Sequence, residues 1–362
     1  MKVLYLLRYY PTLSETFVYR EIRELVENHA VEVSIASLGG REDGSLQQLL
    51  PAPNFPVPRA RLGRWMEDGS QGSRFLRKHQ RRKDAARLRW LRSFSGGFDL
   101  VHAHFAGEAA EFAHALWLDR KIPYTVTVHA TGLFRPRPSL GETLGSAAGV
   151  AAISSFNRDL LASKGITSTR IPCGIDLDEW PETPLHGNSL RALFVGRNVA
   201  KKGLDLLCST WNLPKQHQLR IIGSGEPSDL PDGALFLGPQ PTEEVRRQIR
   251  WCNLLVLPCI QAADGDMDGI PVVLMEAMAS GRAVMTSDLS GIPELVDSTV
   301  GWLLPPGDQD ALASALNEAT DMETLTEKAK KGRSKVAALH PLGPSAEKLV
   351  GMWRRSIRES QK

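Results

Sequence analysis

No stretch of this sequence carries the roughly 20 consecutive apolar residues that a membrane-spanning helix needs. The N-terminal MKVLYLLRYYP holds too short an apolar run, with no small-residue cleavage site, to read as a signal peptide. Both shortages lead to the expectation of a cytoplasmic protein. Cysteine is scarce as well. Cys173, Cys208, Cys252 and Cys259 form no CxxC pair and no cluster with histidine, which argues against a disulfide framework or a zinc site and reads them as small hydrophobes. Net charge is low, with 44 Lys and Arg against 41 Asp and Glu.

That near-balance conceals one uneven segment. Between Arg59 and Arg92 there are twelve Lys or Arg residues against the three acids Glu67, Asp68 and Asp84. A single-sign field of this kind attracts polyanions or an anionic membrane surface, at about 1 kcal/mol per basic residue close to such a membrane. A solvated basic helix face competes with that reading, because Ala85, Leu88, Trp90 and Leu91 make only a weak apolar stripe. No aromatic-interleaved strand motif accompanies the segment, so nucleic acid is not expected as a partner.

The 362 residues exceed the size at which a single core usually stops growing, so two domains are expected. Short Val, Ile and Leu runs alternate with longer helical patterns, which points to βαβ units and parallel sheets. Strands are predicted at Lys2 to Leu7, Val31 to Ser37, Leu100 to His102, Tyr124 to Val128 and Gly149 to Ile153. The alternation restarts after IPCGIDLDEWPETP, at Arg191 to Val195, Gln218 to Ile222, Ala234 to Leu237, Leu254 to Leu257 and Ala283 to Thr286. The economical fold is α/β, two doubly wound parallel-sheet domains. One spans 1–172 and the other 173–344, with a C-terminal helix at 345–362. In such sheets ligands bind outside the carboxyl ends of the strands.

Several strand ends carry chemistry. VTVHATG puts His129 where a buried strand meets a turn. In LFVGRNVAKKG, Gly196, Arg197 and Lys202 lie between a strand and a helix N-terminus, where free backbone N–H groups favour anions. A helix terminus contributes about 0.3 to 2 kcal/mol, whereas one cation about 4 Å from a phosphate charge contributes up to roughly 4 kcal/mol at an effective dielectric near 20. The two side chains would therefore dominate. LRIIGSGEPSDL holds Gly223 and Gly225, but Ser228 replaces the third glycine of GxGxxG, too weak a signal for a dinucleotide site. GDMDGIPVVLMEAMASG places Asp268 in a loop and Glu276 inside an otherwise apolar helix that starts at Pro271 and ends near Gly281. A buried carboxylate is costly unless it is paired or faces a ligand. The break at Gly269-Ile270-Pro271 allows both acids to line one cleft.

Taken together, SETFVYREIREL, HAHF, TVHATG, IPCGIDLDEW, VGRNVAKKGLDLL and DGDMDGIPVVLMEAMASGRAVMTSDLSGIPELV resemble the retaining nucleotide-sugar glycosyltransferases of the GT-B fold, family 4. The nearest subgroup is that of bacterial exopolysaccharide and colanic-acid-type assembly. The resemblance spans essentially the whole chain and implies two Rossmann-like domains facing a cleft. By position it implies that Arg197 and Lys202 bind phosphate, that Glu276 holds ribose hydroxyls, and that Asp268 and His129 face the donor sugar. The backbone from Gly269 through Ile270 and Pro271 to Val272 would contact sugar or diphosphate. Ser14 and Glu15, with Thr16, stand in place of a glycine-rich first loop. AEKLVGMWRRSIRES would cross back onto the N-terminal domain. Two departures stand out: Asp268 replaces the usual Glu, and Gly132 occupies a turn position where an acid is common.

The activity so implied is transfer of a sugar from a nucleoside diphosphate donor to a glycan or lipid-linked acceptor hydroxyl with retention. No cofactor is implied. No DxD-like acid pair follows a strand to hold a divalent ion, so metal independence is expected. Two other classes compete: a sugar-nucleotide epimerase of the same fold, which needs no acceptor, and a non-catalytic relative that partners another transferase. The basic segment 59–92 falls in the half that would face the acceptor, and peripheral contact with the inner membrane face is expected. In liposome flotation the chain should therefore prefer anionic lipid, and charge reversal across 77–83 should remove that preference; equal flotation of both chains would contradict the contact.

Overall fold

The computed structural model describes residues 1–10, 12, 15–39, 54–56, 97–185 and 187–362, with 54–56 described by backbone alone. Ser14 and the basic segment 59–92 lie outside the described residues. Among the described residues no helix is long and apolar enough to cross a membrane.

The first sheet contains β1 (Lys2–Leu7), β2 (Glu32–Ser37), β3 (Asn54–Pro56), β4 (Leu100–His104), β5 (Tyr124–Val128), β6 (Gly149–Ala152) and β7 (Thr169–Arg170), in the order β3-β2-β1-β4-β5-β6-β7. The second contains β8 (Arg191–Val195), β9 (Gln218–Ile222), β10 (Ala234–Phe236), β11 (Leu254–Leu257), β12 (Ala283–Ser287) and β13 (Gly301–Leu304), in the order β10-β9-β8-β11-β12-β13. The ladders among the described residues are parallel. Parallel strands covered on both faces read as continuous apolar runs, which is why β1, β5, β8, β9 and β11 fall on their predicted residues. The sequence reading did not include β3, β7 and β13. All three are short edge strands, too brief to show a hydrophobic pattern.

The strand order reverses between β1 and β4 in one sheet and between β8 and β11 in the other. At these switch points the loops leaving neighbouring strands part and leave a crevice. Each sheet has its own core. One apolar cluster runs from Ile175 to Val336 around the second sheet, and two others lie on the first. The chain passes between them at Ile175, bridged to Pro341 where it returns. From there the helix Leu342–Ser360 packs Leu349, Val350, Met352 and Trp353 against Val3, Tyr5 and Ile22 of the first sheet and its helix.

A buried ionic network fastens the two halves. The helix Thr16–Asn28 uses Val18, Ile22 and Leu25 to cover its own sheet. Arg20 lies two residues from Val18 and Ile22, on the other side of the helix, yet it too is buried, because the second domain covers it. Its Nη2 donates to Glu276 Oε1 at 2.8 Å and its Nε to Glu179 Oε2 at 2.8 Å. Arg23 reaches Glu179 at 2.6 Å and Asp176 at 2.9 Å, while Arg246 of the second domain reaches Glu179 at 3.3 Å. Burial acts against the Glu179 carboxylate, but Arg20 and Arg23 outweigh it and hold its pKa below the usual value.

Removing one partner of a buried pair strands the other, at about 3 to 5 kcal/mol. Arg20→Met should therefore lower the unfolding free energy at neutral pH by about that amount, measured by chemical denaturation. A depressed folded-state pKa contributes stability that is present above the unfolded pKa and lost as pH falls through the folded one. The gap between the two chains should thus narrow on acidification below about pH 4. A difference under about 1 kcal/mol at pH 7 would place this network among weak surface pairs.

Candidate active site

Loops at the carboxyl ends of both sheets converge on one cleft of about 290 Å³. From the first domain come Glu15, Thr16, Phe105 and His129; from the second come Gly196, Arg197, Lys201, Lys202, the stretch Asp268 to Val273, and Glu276. The local sequence explains the placement. β5 ends at Val128, so His129 is the first residue beyond the sheet. β8 ends at Val195 and releases Gly196 and Arg197 into a loop.

A 3₁₀ turn, Ala200–Lys202, follows, and the helix begins only at Leu204. Lys202 therefore lies between the strand and the helix start, with Gly203 as the N-cap of that helix. Pro271, expected inside the first turn, is the N-cap of the helix Val272–Ala279, and Gly281 follows its C-cap at φ +73°.

Lys202 and Asp268 form the tightest pair in the cleft, with Nζ to Oδ2 at 2.6 Å. Lys201 is buried beside them, 3.4 Å from Asp268 and 3.1 Å from Asp266. Cys259 donates its thiol toward Asp268 Oδ2 at 3.7 Å. Burial pushes Asp268 toward the neutral acid, but Lys202 and then Lys201 prevail and lower its pKa. Burial likewise opposes the Lys202 ammonium, and Asp268 reverses that and raises its pKa. Both groups are therefore charged at neutral pH. Arg197 lines the same cleft, so three cations, Arg197, Lys201 and Lys202, gather around Asp268.

Glu276, the carboxylate in the apolar helix, has a partner in the fold. Its Oε1 accepts from Arg20 and, at 3.5 Å, from the Thr16 hydroxyl. Oε2 has no hydrogen-bond partner among the described residues, and the residue lines the cleft. On the opposite side His129 is buried and joined through Nε2 to His104 Nδ1 at 3.1 Å. Burial, reinforced by His104, holds its pKa well below the ordinary histidine value.

The cleft thus gathers Asp268, Arg197, Lys202, His129, Glu276, Gly269, Ile270, Pro271, Val272, Gly196 and Glu15. Gly223 and Gly225, the other two glycines proposed to contact the donor, are not among the residues that line this cleft. Gly223 lies under the Arg197 loop, where a Cβ would come within 1.7 Å of the Gly196 carbonyl oxygen. Gly225 packs against Asn198. Both glycines shape the loop rather than the wall. Gly132 has a structural reason of its own: at φ +88° a side chain there would meet the Ala106 carbonyl oxygen at 2.4 Å. This backbone does not admit an acid at that turn.

Four contributors went unassigned in the sequence. Arg20 and His104 sit inside recognised motifs, but no periodicity marks a residue buried by another domain. Lys201 carries the same chemistry as its neighbour Lys202, so the sequence does not single it out, and Glu21 binds behind the site rather than in it.

Comparison with known proteins agrees with this architecture. Residues 14–179 match the family model described as Glycosyltransferase Family 4, and residues 189–321 match Glycosyl transferases group 1. The chain is 43% identical over 142 residues to the amylovoran biosynthesis glycosyltransferase AmsK of Erwinia amylovora, covering 35% of each chain. It is 35% identical over 182 residues to the putative colanic acid biosynthesis glycosyltransferase WcaL of Escherichia coli K12, covering 45% of each. The chain spans less than half the length of these curated relatives.

Sucrose-phosphate synthase from Thermosynechococcus elongatus superposes with a TM-score of 0.77 at 18% identity, covering 99% of this chain and 100% of that one. Anabaena Alr3699/HepE in complex with UDP-glucose gives 0.73 at 16% identity, covering 98% and 99%. The architecture is therefore the GT-B fold, and the chain matches in succession the models described as Glycosyltransferase Family 4 and Glycosyl transferases group 1.

Proposed function

We propose that this chain is a retaining glycosyltransferase that moves a sugar, a hexose, from a nucleoside diphosphate sugar to an acceptor hydroxyl during bacterial surface polysaccharide assembly. The observation that carries the reading is the meeting of Arg197, Lys202 and Glu276 on one wall of an interdomain cleft, with His129 opposite. The named roles of AmsK and WcaL in exopolysaccharide biosynthesis support the pathway class. The UDP-glucose complex of the Anabaena structure supports the donor class.

In this reading the diphosphate lies by Arg197 and Lys202, and the ribose donates its hydroxyls to Glu276 Oε2. The bond from the anomeric carbon to the phosphate oxygen breaks as the acceptor oxygen bonds to that carbon on the same face. The departing phosphate gathers negative charge, and preorganised cations stabilise charge that develops in the transition state. The acceptor proton passes to the departing phosphate, and no protein base is assigned. Asp268 keeps the two lysine side chains apart and aimed, which holds them in place before donor arrives.

These fixed cations supply the charge that a divalent ion would otherwise bring, so transfer is proposed to be metal-independent and to persist in chelator. The acceptor is proposed to be a glycan or lipid-linked glycan. A peripheral role for the basic segment 59–92 belongs with it.

A thermal-shift panel of UDP, GDP and ADP sugars identifies the donor for the assay. Lys202→Ala should then cut turnover by ~10² to 10³, and Asp268→Asn should impair transfer while Asp268→Glu retains it. Near-normal turnover in Lys202→Ala, or indifference to both Asp268 changes, would refute these roles. Donor conversion without any acceptor would instead identify an epimerase.

A further inference from the structure

Behind His129 runs a chain of polar groups that the transfer step does not use. Tyr5, His102 and His104 lie on one face of the first sheet, since Tyr5 pairs with His102 across β1 and β4 and alternate residues of a strand share a face. His104 Nε2 is 3.0 Å from Glu21 Oε1, and the Tyr5 hydroxyl donates to the same oxygen at 2.8 Å. His104 Nδ1 in turn meets His129 Nε2 at 3.1 Å. His102 stands apart: Thr125 and Thr127 occupy its two nitrogens at 2.8 and 3.1 Å. Glu21, His102 and His104 are close enough to suggest a metal cluster, but those two hydroxyls already satisfy His102.

The direction of the hydrogen bonds follows from elimination. A carboxylate only accepts, so the Glu21 contact requires the proton of His104 on Nε2. In a relay with one proton on each ring, His104 Nδ1 is then the acceptor and receives the proton of His129 Nε2. That leaves His129 Nδ1 as a bare lone pair, with no partner among the described residues, in a ring that lines the cleft.

We propose that Glu21, acting through His104, is a positioning residue that locks His129 as a neutral hydrogen-bond acceptor, so that the ligand group docking on it must be a hydroxyl donor. This rests on the reading of the cleft as a sugar-nucleotide site. The substrate feature it selects is a free hydroxyl on the transferred sugar or the acceptor, as against an ether, ester or carboxylate at that position. Burial, the largest cause, lowers the His129 pKa and favours a neutral acceptor over a cation.

The tautomers are read directly in the full chain, labelled with nitrogen-15 histidine, from two-bond proton–nitrogen correlations at pH 8. His104→Gln and His129→Gln assign the two rings. Both should carry their proton on Nε2. A proton on His129 Nδ1, or an imidazolium at either ring, overturns the proposal. Glu21→Met removes the acceptor and should turn His129 into a mixture of tautomers, whereas Glu21→Gln, whose amide oxygen still accepts, should keep the Nε2 proton. An unchanged His129 in Glu21→Met also overturns it, and Glu21→Leu repeats the removal if the methionine chain does not fold.

In the transfer assay Glu21→Met should lower kcat up to about tenfold, the scale of one hydrogen bond, with Glu21→Gln close to wild type. Absent transfer with the Nε2 tautomer intact contradicts the transferase reading alone. Normal transfer with a proton on Nδ1 contradicts the relay alone.

Discussion

The arrangement of the cleft depends on one buried guanidinium. Arg20 belongs to the first domain, yet its two carboxylate partners are Glu179, on the connecting segment, and Glu276, inside the helix that walls the second domain's side of the cleft. A charge taken out of water must be compensated on every side, so the pairing tolerates little change in the separation of the two sheets. The planar, two-pronged geometry of arginine suits it to bind two acids at once, which lysine would do less well. Glu276 is held in place by the same contact that closes the cleft.

A second layer of compensation sits within the second domain. Lys201, Lys202, Asp266 and Asp268 neutralise one another in a partly dry corner, and Arg197 adds a further cation at the rim. Such a cluster is costly to build and cheap to use. Its charges are already oriented, so an arriving diphosphate meets a field that needs no rearrangement.

Much of the fold was legible because parallel strands buried on both faces leave uninterrupted apolar runs. Five strands coincide residue for residue with the sequence reading. The edges were not legible, since β3, β7 and β13 are short edge strands. The cleft residues from Arg197 to Glu276 could be read because each follows a strand or opens a helix, positions with a physical link to ligand binding. Arg20, Glu21 and His104 could not be assigned roles in that way. Their importance arises from what another part of the chain brings against them, and periodicity records only which face of an element is buried against its own sheet. Gly223 adds a constraint that no motif spells out: its lack of a side chain answers the close approach of the Gly196 carbonyl.

The central claim is that this cleft holds a nucleoside diphosphate sugar between the two domains. The most direct test is a crystal structure of the chain with the donor that stabilises it. The account predicts the diphosphate against Arg197 and Lys202, the ribose on Glu276 Oε2 and the sugar toward His129. A nucleotide bound elsewhere, or no binding of any uridine, guanosine or adenosine diphosphate sugar, would contradict it.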